Sequence, residues 1–489
     1  MSGAKSGDTG PTLDPEDWTE LRAQGHRMLD DMLDYLEHLR ERPVWQPMTG
    51  EIRASFRDAL PASPTDLAAV YREFSESILP YSSGNNHPGF MGWVQGGGTA
   101  VGMLAEMLAA TLNANCGGRD HAPIEVERQI ARWAQQMFGF PAAATGIFVT
   151  GTSIANFVAL IVARTGVLGA ESRRAGIAAG GKELTAYVSA AAHVCVRQAM
   201  ELAGFGSDAL RLIPTDSSHR IDLAALGDAI VNDRAAGRTP FFLVGNAGTV
   251  DIGAIDDLDG LAALAKREGL WFHVDGALGA LAVLAPSLKS RFKGMERADS
   301  IAFDFHKWGQ VPYDAGFILV RDGERHQAAF ASPTAYLRRE TSGLAGGSPW
   351  PCDFGPDLSR GFRALKTWFT LKTYGSERLG AEIARSCALA QYLKQRIEAD
   401  ARLELMAPVA LNIVCFRYRC ADSDRRNAAI VAALQESGVA APSTTIIDGK
   451  LAIRACLINH RTQECDIDAL FQAVLRLGAA EEKTARSRR

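Results

Sequence analysis

The sequence predicts an α/β protein whose main domain contains a predominantly parallel sheet. From residue 100 to about residue 376, segments with helical periodicity alternate with short runs of β-branched and aromatic residues. This alternation is typical of parallel strands joined by crossover helices. The predicted strands are Gly146–Thr150, Ala186–Ser189, Phe241–Val244, Leu270–Val274, Ser300–Phe303 and Gly316–Val320.

Two segments precede this domain. Residues 1–13 are rich in Gly, Ser and Thr, a composition that predicts disorder. Residues 14–99 form a predicted arm of helices and loops. Its first helix is expected to begin at Asp14-Pro15, an N-cap followed by a proline, and its second at Ser63-Pro64, ending near Ile78. The first helix is amphipathic, so its apolar face needs a partner.

Residues 377–480 predict a smaller α+β domain. A helix is expected to begin near Glu377, followed by strands at Leu411–Tyr418 and Lys450–Cys456 and a closing helix at Ile467–Leu477. Residues 481–489 form a charged tail. The chain therefore divides into an arm, a large sheet domain covering residues 100–376, and a small C-terminal domain.

Composition and charge exclude several classes of protein. A formal net charge of -4 opposes a nucleic-acid-binding surface, and no apolar run approaches the roughly 20 residues that span a bilayer. The polar N-terminus carries no secretory signal pattern. The eight cysteines show no C-x-x-C spacing, which favours free thiols in a reducing cytoplasm and indicates no metal site.

Ligands of open α/β sheets bind beyond the carboxyl ends of the strands, so the polar residues at those ends are candidate site residues. The run Gly146–Thr150 stops at Gly151-Thr152-Ser153, where a helix begins. Free backbone amides, the helix dipole and two hydroxyls suit a phosphate. An ordinary N-cap is the alternative interpretation.

Two further strand ends carry candidate residues. His193 follows the strand Ala186–Ser189 at a helix start, where its ring could lie on a flat cofactor or act as a structural histidine. The strand Phe241–Val244 leads into a turn of small residues that lets the backbone approach a ligand and offers the Thr249 hydroxyl. A tight loop without a ligand is the alternative for that turn.

Asp275 and Lys307 carry the strongest chemical signal. Asp275 ends an apolar strand and needs a cationic partner to stay ionised, and a protonated pyridine nitrogen is such a partner. Lys307 follows the next strand within His306-Lys307-Trp308. Partial burial near a cationic ring would disfavour its ammonium form and free the amine for imine formation. Together they predict an enzyme that uses pyridoxal phosphate.

Ordered motifs extend over nearly the whole chain: Asn86-His-Pro-Gly-Phe-Met-Gly92, Glu125-Val-Glu127, Ala191-Ala-His193, Gly248-Thr249 through Gly253-Ala-Ile-Asp256, His273-Val-Asp-Gly-Ala277, His306-Lys-Trp308 and Ser359-Arg-Gly-Phe-Arg-Ala-Leu-Lys-Thr-Trp368. In these motifs the chain resembles the group II pyridoxal-phosphate-dependent decarboxylases, the family typified by aromatic-L-amino-acid decarboxylase.

This resemblance implies a type I, aspartate-aminotransferase-like fold with a large, mainly parallel seven-stranded sheet. It also implies a homodimer with active sites at the interface and an N-terminal arm wrapped around the second subunit. The implied residue roles are a Schiff base at Lys307, a ring-nitrogen contact at Asp275, ring contacts at His193 and Ala277, phosphate contacts at Thr152, Ser153 and His306, and a cofactor contact at Thr249.

The implied reaction is removal of CO2 from an L-amino acid to give the amine. Relatives of the aromatic type carry a tyrosine on a mobile loop, and the comparable stretch Pro349–Pro356 contains none. Tyr336 is the residue that could replace it. Without that acid, oxygen could intervene, so a decarboxylation-dependent oxidative deaminase that forms an aldehyde is the alternative.

The substrate is expected to be an aromatic amino acid, with glutamate, aspartate and diamino acids kept open. Phe90, Trp93, His87 and Tyr336 are the candidate pocket residues, and Gly89 stands where aromatic-type relatives have an aromatic residue. A catalytically silent pyridoxal-phosphate-binding regulator or partner subunit is the alternative outside this enzyme class. A regulator of that kind would carry a basic helix-turn-helix domain, and the sequence contains none.

Overall fold

The computed structural model describes residues 12–180, 183–332 and 338–487. Helices in these ranges are α1 (Trp18–Glu37), α2 (Gly50–Ser55), α3 (Leu67–Glu73), α4 (Ala100–Leu112), α5 (Ala122–Phe138), α6 (Thr152–Leu168), α7 (Ser172–Ala175), α8 (Cys195–Leu202), α9 (Leu223–Ala235), α10 (Leu258–Glu268), α11 (Pro286–Lys289), α12 (Gly323–Phe330), α13 (Arg363–Glu398), α14 (Ser423–Glu436) and α15 (Glu464–Ser487). None of these helices is long and apolar enough to cross a membrane.

The strands of the described residues form two sheets. They are β1 (Phe90–Met91), β2 (Thr145–Val149), β3 (Leu184–Ser189), β4 (Leu210–Ile213), β5 (Thr239–Asn246), β6 (Trp271–Asp275), β7 (Ser300–Asp304), β8 (Gly316–Val320), β9 (Leu403–Leu405), β10 (Ile413–Tyr418), β11 (Ala441–Ile447) and β12 (Lys450–Cys456).

The large sheet has seven strands in the order β2-β8-β7-β6-β5-β3-β4, and β8 runs antiparallel to both neighbours. The other pairings are parallel, which confirms the predicted fold class. Both faces are covered: in β6, Phe272 and Val274 join one apolar core while Trp271 joins the other. Burial on both sides explains why these strands are continuous apolar runs in the sequence.

Sequence analysis did not predict β4. This strand has four residues, lies at the edge of the sheet and places Arg211 and the half-exposed Leu212 between its buried ends. A strand paired on one side only needs no continuous apolar run, so its sequence carries a weak signal.

The small sheet has the order β1-β11-β12-β10-β9, with antiparallel pairing except between β1 and β11. The predicted arm thus contributes a strand, Phe90–Met91, to the C-terminal sheet, whereas sequence analysis expected only helices and loops there. Two residues give no detectable periodicity. Pairing with Ala441 and Pro442, 351 residues away in the chain, creates this strand.

Three helix boundaries differ from the prediction. The N-cap of α1 is Asp17, whose carboxylate accepts the Thr19 amide at 2.7 Å, and the N-cap of α3 is Asp66. In both places an aspartate downstream of the expected start has a free side chain to cap the amides. Helix α13 begins at Arg363 and kinks at Gly375, where φ is 73°, so the predicted start at Glu377 marks only its second part.

The carboxyl ends of β2, β3, β5, β6 and β7 meet at one edge of the large sheet, because these strands run in the same direction. Helices α6 and α8 begin at this edge, directly after β2 and β3. The small sheet lies across the same edge through β11 and β12. A cavity between the two sheets is the consequence.

Candidate active site

A cavity of about 520 Å³ lies at the carboxyl edge of the large sheet. Its large-domain wall comes from the loops after β2, β3, β5, β6 and β7, and its opposite wall from Trp93, Val94 and strands β11 and β12. Most residues predicted from the sequence line this one cavity: Thr152, Ser153, His193, Thr249, Asp275, Ala277, His306, Lys307 and Trp93.

Thr152 is the first residue of α6 and lies at the cavity wall. Its hydroxyl oxygen is buried and has no hydrogen-bond partner among the described residues. Ser153 follows it and is exposed to the cavity. A buried hydroxyl beside a helix N-terminus costs stability unless a ligand completes its hydrogen bond. This end of the cavity therefore suits an anion.

His306 lies on the same side of the cavity. Its Nδ1 accepts a hydrogen bond from the Ala315 amide at 3.0 Å, so the proton of a neutral ring is on Nε2. Burial lowers the pKa of His306, which keeps the ring neutral. Its Nε2–H is thus a donor facing Asp304, 3.8 Å from the carboxylate.

Lys307 is paired with Asp304 in the protein chain. Its Nζ lies 2.7 Å from one carboxylate oxygen of Asp304, and the other oxygen accepts the Thr152 amide at 2.9 Å. Burial would lower the pKa of Lys307, but the Asp304 carboxylate outweighs this, so the pKa is raised. The sequence predicted that burial would disfavour the ammonium form of Lys307. In the cofactor-free chain the ammonium form is favoured instead, because Asp304 pairs with it, and the sequence did not predict this ion pair.

Asp275 ends β6 with both carboxylate oxygens held. One oxygen accepts the Ala277 amide at 3.1 Å, and the other accepts the Asn156 side-chain amide at 2.9 Å. The residue is 6% exposed. Carboxylates accept several hydrogen bonds, so lone pairs remain for a cation in the cavity.

His193 and Ala277 contribute to different parts of the cavity wall, after β3 and after β6. The His193 ring is exposed and its Nδ1 accepts the Cys195 amide at 3.2 Å, which fixes the ring at the start of α8. Thr249 is buried, and its hydroxyl accepts the Ala254 amide at 3.0 Å. The Thr249 hydroxyl therefore orders its own loop, and the residue still lines the cavity.

Two predicted pocket residues do not line this cavity of the single chain. Phe90 is buried in a small core with Val44 and Ala441, and His87 lines a separate cavity formed by residues of the arm itself. Pairing of β1 with β11 turns Phe90 away from the cavity, whereas Trp93, 56% exposed, lies at its wall. Tyr336 lies outside the described residues.

Several cavity residues were not among the predicted site residues, and these include Asp304, Tyr313 and Arg454. Tyr313 packs its ring against His306 with centroids 4.2 Å apart, and Arg454 reaches the wall from β12. Asp304 is the last residue of β7 and could have been found, since it ends a strand as Asp275 does. Arg454 carried no local signal, because its place depends on how the small sheet docks.

A family model described as the pyridoxal-dependent decarboxylase conserved domain matches residues 50–419. The chain belongs to the pyridoxal-dependent decarboxylase family. An aromatic-L-amino-acid decarboxylase from Bacillus atrophaeus is 31% identical to it over 480 residues, 95% of this chain and 96% of that protein. A phenylacetaldehyde synthase from Arabidopsis thaliana is 30% identical, with 95% and 97% covered.

Solved structures show the same fold for this decarboxylase. A crystal structure of Oryza sativa TDC with PLP and tryptamine superposes with a TM-score of 0.87, covering 96% of this chain and 100% of that one at 24% identity. A structure of Rhodiola rosea 4-hydroxyphenylacetaldehyde synthase gives 0.83 at 24% identity, covering 96% and 99%. At this identity the likeness concerns the fold alone.

The decarboxylase uses pyridoxal 5'-phosphate to remove CO2 from an amino acid, as predicted. Its cavity fits that cofactor on the geometry described. The Thr152 hydroxyl lacks a partner at a helix N-terminus, and at this end a phosphate would supply one. Asp275 has acceptor capacity for a protonated ring nitrogen, and Lys307 would provide the amine that the cofactor aldehyde requires.

Proposed function

We propose that this decarboxylase converts an aromatic L-amino acid to its amine. The observation that carries the proposal is the convergence of Lys307, Asp275, His193 and Thr152 on one cavity from four different strand ends. The remaining wall supplies apolar surface for a flat side chain from Trp93, Val94, Val250 and Leu278. The relative from Bacillus atrophaeus, an aromatic-L-amino-acid decarboxylase, adds to this support.

The proposed roles of the residues follow from their positions. Lys307 attaches the cofactor, Asp275 pairs with its ring nitrogen, and His193 and Ala277 lie against its ring. Thr152, Ser153 and the His306 Nε2–H bind its phosphate, with Thr249 in the adjoining loop. When bound, the cofactor accepts the electron pair released as the bond to the α-carboxylate breaks. The chain's contribution is to fix the amino acid against the ring and to exclude water.

Asp304 must release Lys307 when the cofactor is attached. Its carboxylate holds both the Lys307 ammonium and the Thr152 amide in the chain. Attachment of the cofactor would need the neutral Lys307 amine, so Lys307 would first lose a proton to solvent, to which its side chain is 19% exposed. We infer that Asp304 stores Lys307 in its charged form and that its carboxylate partly opposes the incoming phosphate.

A second candidate function is oxidative deamination to an aldehyde. The stretch Pro349–Pro356, where aromatic-type relatives are expected to carry a loop tyrosine, lies folded onto the protein. Trp350 is 1% exposed and donates its indole N–H to the Gly346 carbonyl, and Asp353 pairs with Arg339. A buried tryptophan at this place offers no proton donor to the cavity, which favours the aldehyde route.

The test of both candidates is a substrate panel. Purified, cofactor-loaded protein is incubated in air with single amino acids, and products are identified by mass spectrometry alongside assays for CO2, ammonia and peroxide. Lys307→Ala serves as the control. We expect one amine with CO2 and without peroxide. An aldehyde with ammonia and peroxide would replace the first candidate by the second, and no product from any amino acid would contradict both.

We further propose a cytoplasmic homodimer with active sites at the subunit interface. In the described single chain, helix α1 buries only Gln24, and its Trp18 is 60% exposed. On α4, Leu108 and Leu112 lie one turn apart and are 41% and 60% exposed. Exposed apolar side chains of this kind on two helices are typical of a surface that a second subunit covers. The cysteines are free thiols, which suits the cytoplasm.

Light scattering after size-exclusion chromatography tests the dimer. Leu112→Glu should yield a monomer because it places a charge in the proposed interface. Leu202→Glu is a matched control, since Leu202 is 71% exposed at the end of α8. A Leu112→Glu protein that stays dimeric while the control does too would contradict this interface.

A further inference from the structure

A continuous chain of hydrogen bonds leads from the protein interior to Asp275. Trp271 Nε1 lies 2.8 Å from Ser300 Oγ, and Ser300 Oγ lies 2.8 Å from His273 Nδ1. His273 Nε2 lies 2.8 Å from Asn156 Oδ1, and Asn156 Nδ2 lies 2.9 Å from Asp275 Oδ2. Four residues thus connect to a carboxylate that lines the cofactor cavity.

The secondary structure places these residues together. Trp271, His273 and Asp275 alternate along β6 and share one face of the sheet, while Phe272 and Val274 belong to the core on the other. Ser300 is the neighbour of His273 in the paired strand β7. Asn156 lies one helical turn after Thr152 in α6, which packs on this face. None of the five residues is more than 8% exposed.

The positions of the protons follow from the chemistry of the partners. Asn156 must direct its NH2 group to Asp275, because the opposite orientation would place an amide oxygen against a carboxylate. Its oxygen then accepts from His273, so the His273 proton is on Nε2. The unprotonated Nδ1 accepts from the Ser300 hydroxyl, and Ser300 Oγ accepts the indole N–H, which can only donate.

Every donor in the chain therefore points towards Asp275. Burial lowers the pKa of His273 to about 3, so the ring is neutral and the direction does not reverse. Hydrogen bonds arranged head to tail polarise one another, and a buried carboxylate gains from each donor aimed at it. This chain of hydrogen bonds thus fixes the plane of the Asp275 carboxylate.

We propose that Asn156, His273, Ser300 and Trp271 are positioning residues that hold the Asp275 carboxylate in the orientation needed to bind the protonated ring nitrogen of the cofactor. This inference rests on the proposed role of Asp275. None of the four residues touches the reacting atoms in this arrangement. Their effect reaches the reaction through Asp275 alone.

The order of the chain gives a specific expectation. A direct hydrogen bond to a charged group contributes about tenfold or more in affinity. Each bond further along the chain acts only by polarising the next one, and it contributes only about 10–30% of the free energy of a direct bond. Asn156→Leu should therefore weaken cofactor binding about tenfold or more, Ser300→Ala about 1.3- to 4-fold, and Trp271→Phe least. A packing role predicts the opposite order for Ser300 and Trp271, since Trp271→Phe removes more volume than Ser300→Ala.

The experiment measures three quantities for each variant: the dissociation constant of pyridoxal phosphate by fluorescence titration, the absorbance maximum of the bound cofactor, and the melting temperature of the cofactor-free protein. Ser300→Cys keeps a donor of similar size and should recover part of the Ser300→Ala loss. Thr185→Val is the matched control, because Thr185 is equally buried in β3 and bonds Tyr187.

We expect the affinity and the absorbance maximum to change in the order of the chain, with Thr185→Val unchanged in both. Equal affinity and absorbance for Ser300→Ala and the wild type would overturn the proposal, as would losses that follow melting temperature alone. Asp275→Asn separates the two levels of inference. If Asp275→Asn leaves cofactor binding and absorbance unchanged, the proposed role of Asp275 is wrong. If Asp275→Asn changes both while the variants of the hydrogen-bond chain change neither, the role of Asp275 stands and only the proposal about the hydrogen-bond chain is wrong.

Discussion

Replacing Thr152 by valine should raise the stability of the cofactor-free protein and lower its affinity for pyridoxal phosphate. Thr152 is 5% exposed, and its buried hydroxyl has no partner among the described residues. An unsatisfied buried hydroxyl costs about 1–3 kcal/mol, so its removal should stabilise the cofactor-free chain by that amount. Unfolding entropy of about 2.1 cal/mol/K per residue converts this into a melting temperature roughly 1–3 °C higher.

The same substitution removes a donor from the proposed phosphate site. A hydrogen bond to a charged group contributes about 1.5–3 kcal/mol, so the dissociation constant of pyridoxal phosphate should rise about 10- to 150-fold. Fluorescence titration of the cofactor-free protein measures the constant, and differential scanning fluorimetry measures the melting temperature.

Thr165→Val provides the matched control in the same helix. Thr165 is 7% exposed, and its hydroxyl donates to the Ile161 carbonyl at 2.9 Å. This variant should lose stability by about 0.5–1.5 kcal/mol and keep the affinity for the cofactor. A Thr152→Val protein with unchanged affinity, or one destabilised as much as Thr165→Val, would refute the assignment of Thr152 to the phosphate.

Two further predictions concern buried ion pairs. The pKa of Asp304 is lowered and the pKa of Lys307 is raised, so their ion pair stabilises the cofactor-free chain fully between about pH 3.8 and about pH 10.5. The stabilisation is lost as the pH falls through the pKa of Asp304 in the folded protein, or rises through that of Lys307. Asp304→Asn should therefore shift the pH profile of cofactor attachment, measured by stopped-flow absorbance, to lower pH; an unshifted profile would contradict the storage role. Arg360 and Glu127 are paired with side chains 2% and 4% exposed, and Arg360 also donates to the Cys116 and Phe148 carbonyls. Arg360→Met should lower the free energy of unfolding, measured with urea, by about 3–5 kcal/mol, because it leaves the Glu127 carboxylate buried without its partner. Adding Glu127→Gln should restore part of that free energy. If the double variant is no more stable than Arg360→Met, the loss comes from the hydrogen bonds of Arg360 to the Cys116 and Phe148 carbonyls.

The sequence determined the central strands of the large sheet well because these strands are buried on both faces. Continuous apolar runs followed by polar residues, as at Asp275 and Lys307, mark both a parallel strand and its carboxyl end. These signals are local, so the sequence alone could predict that Lys307, Asp275, Thr152 and His193 are site residues, and the structure brings all four to one cavity. In β6, His273 stands two residues before Asp275, so the sequence also indicates that both side chains lie on the same face of the sheet.

Other features depend on contacts between distant segments. Strand β1 exists because Phe90 and Met91 pair with β11, and this pairing decides that Phe90 is buried elsewhere while Trp93 lines the cavity. The raised pKa of Lys307 likewise follows from the orientation of Asp304, which the sequence does not give.

The sequence by itself determined the fold class, the cofactor and the strand ends that form the site, because burial periodicity and chain order are local properties. Only the tertiary structure decided which polar groups meet there. Asn156 reaches Asp275 because α6 packs on β6, and Arg454 reaches the cavity because the small sheet docks on the large one. Hydrogen bonds require donor and acceptor within about 3 Å, and packing between elements sets such distances.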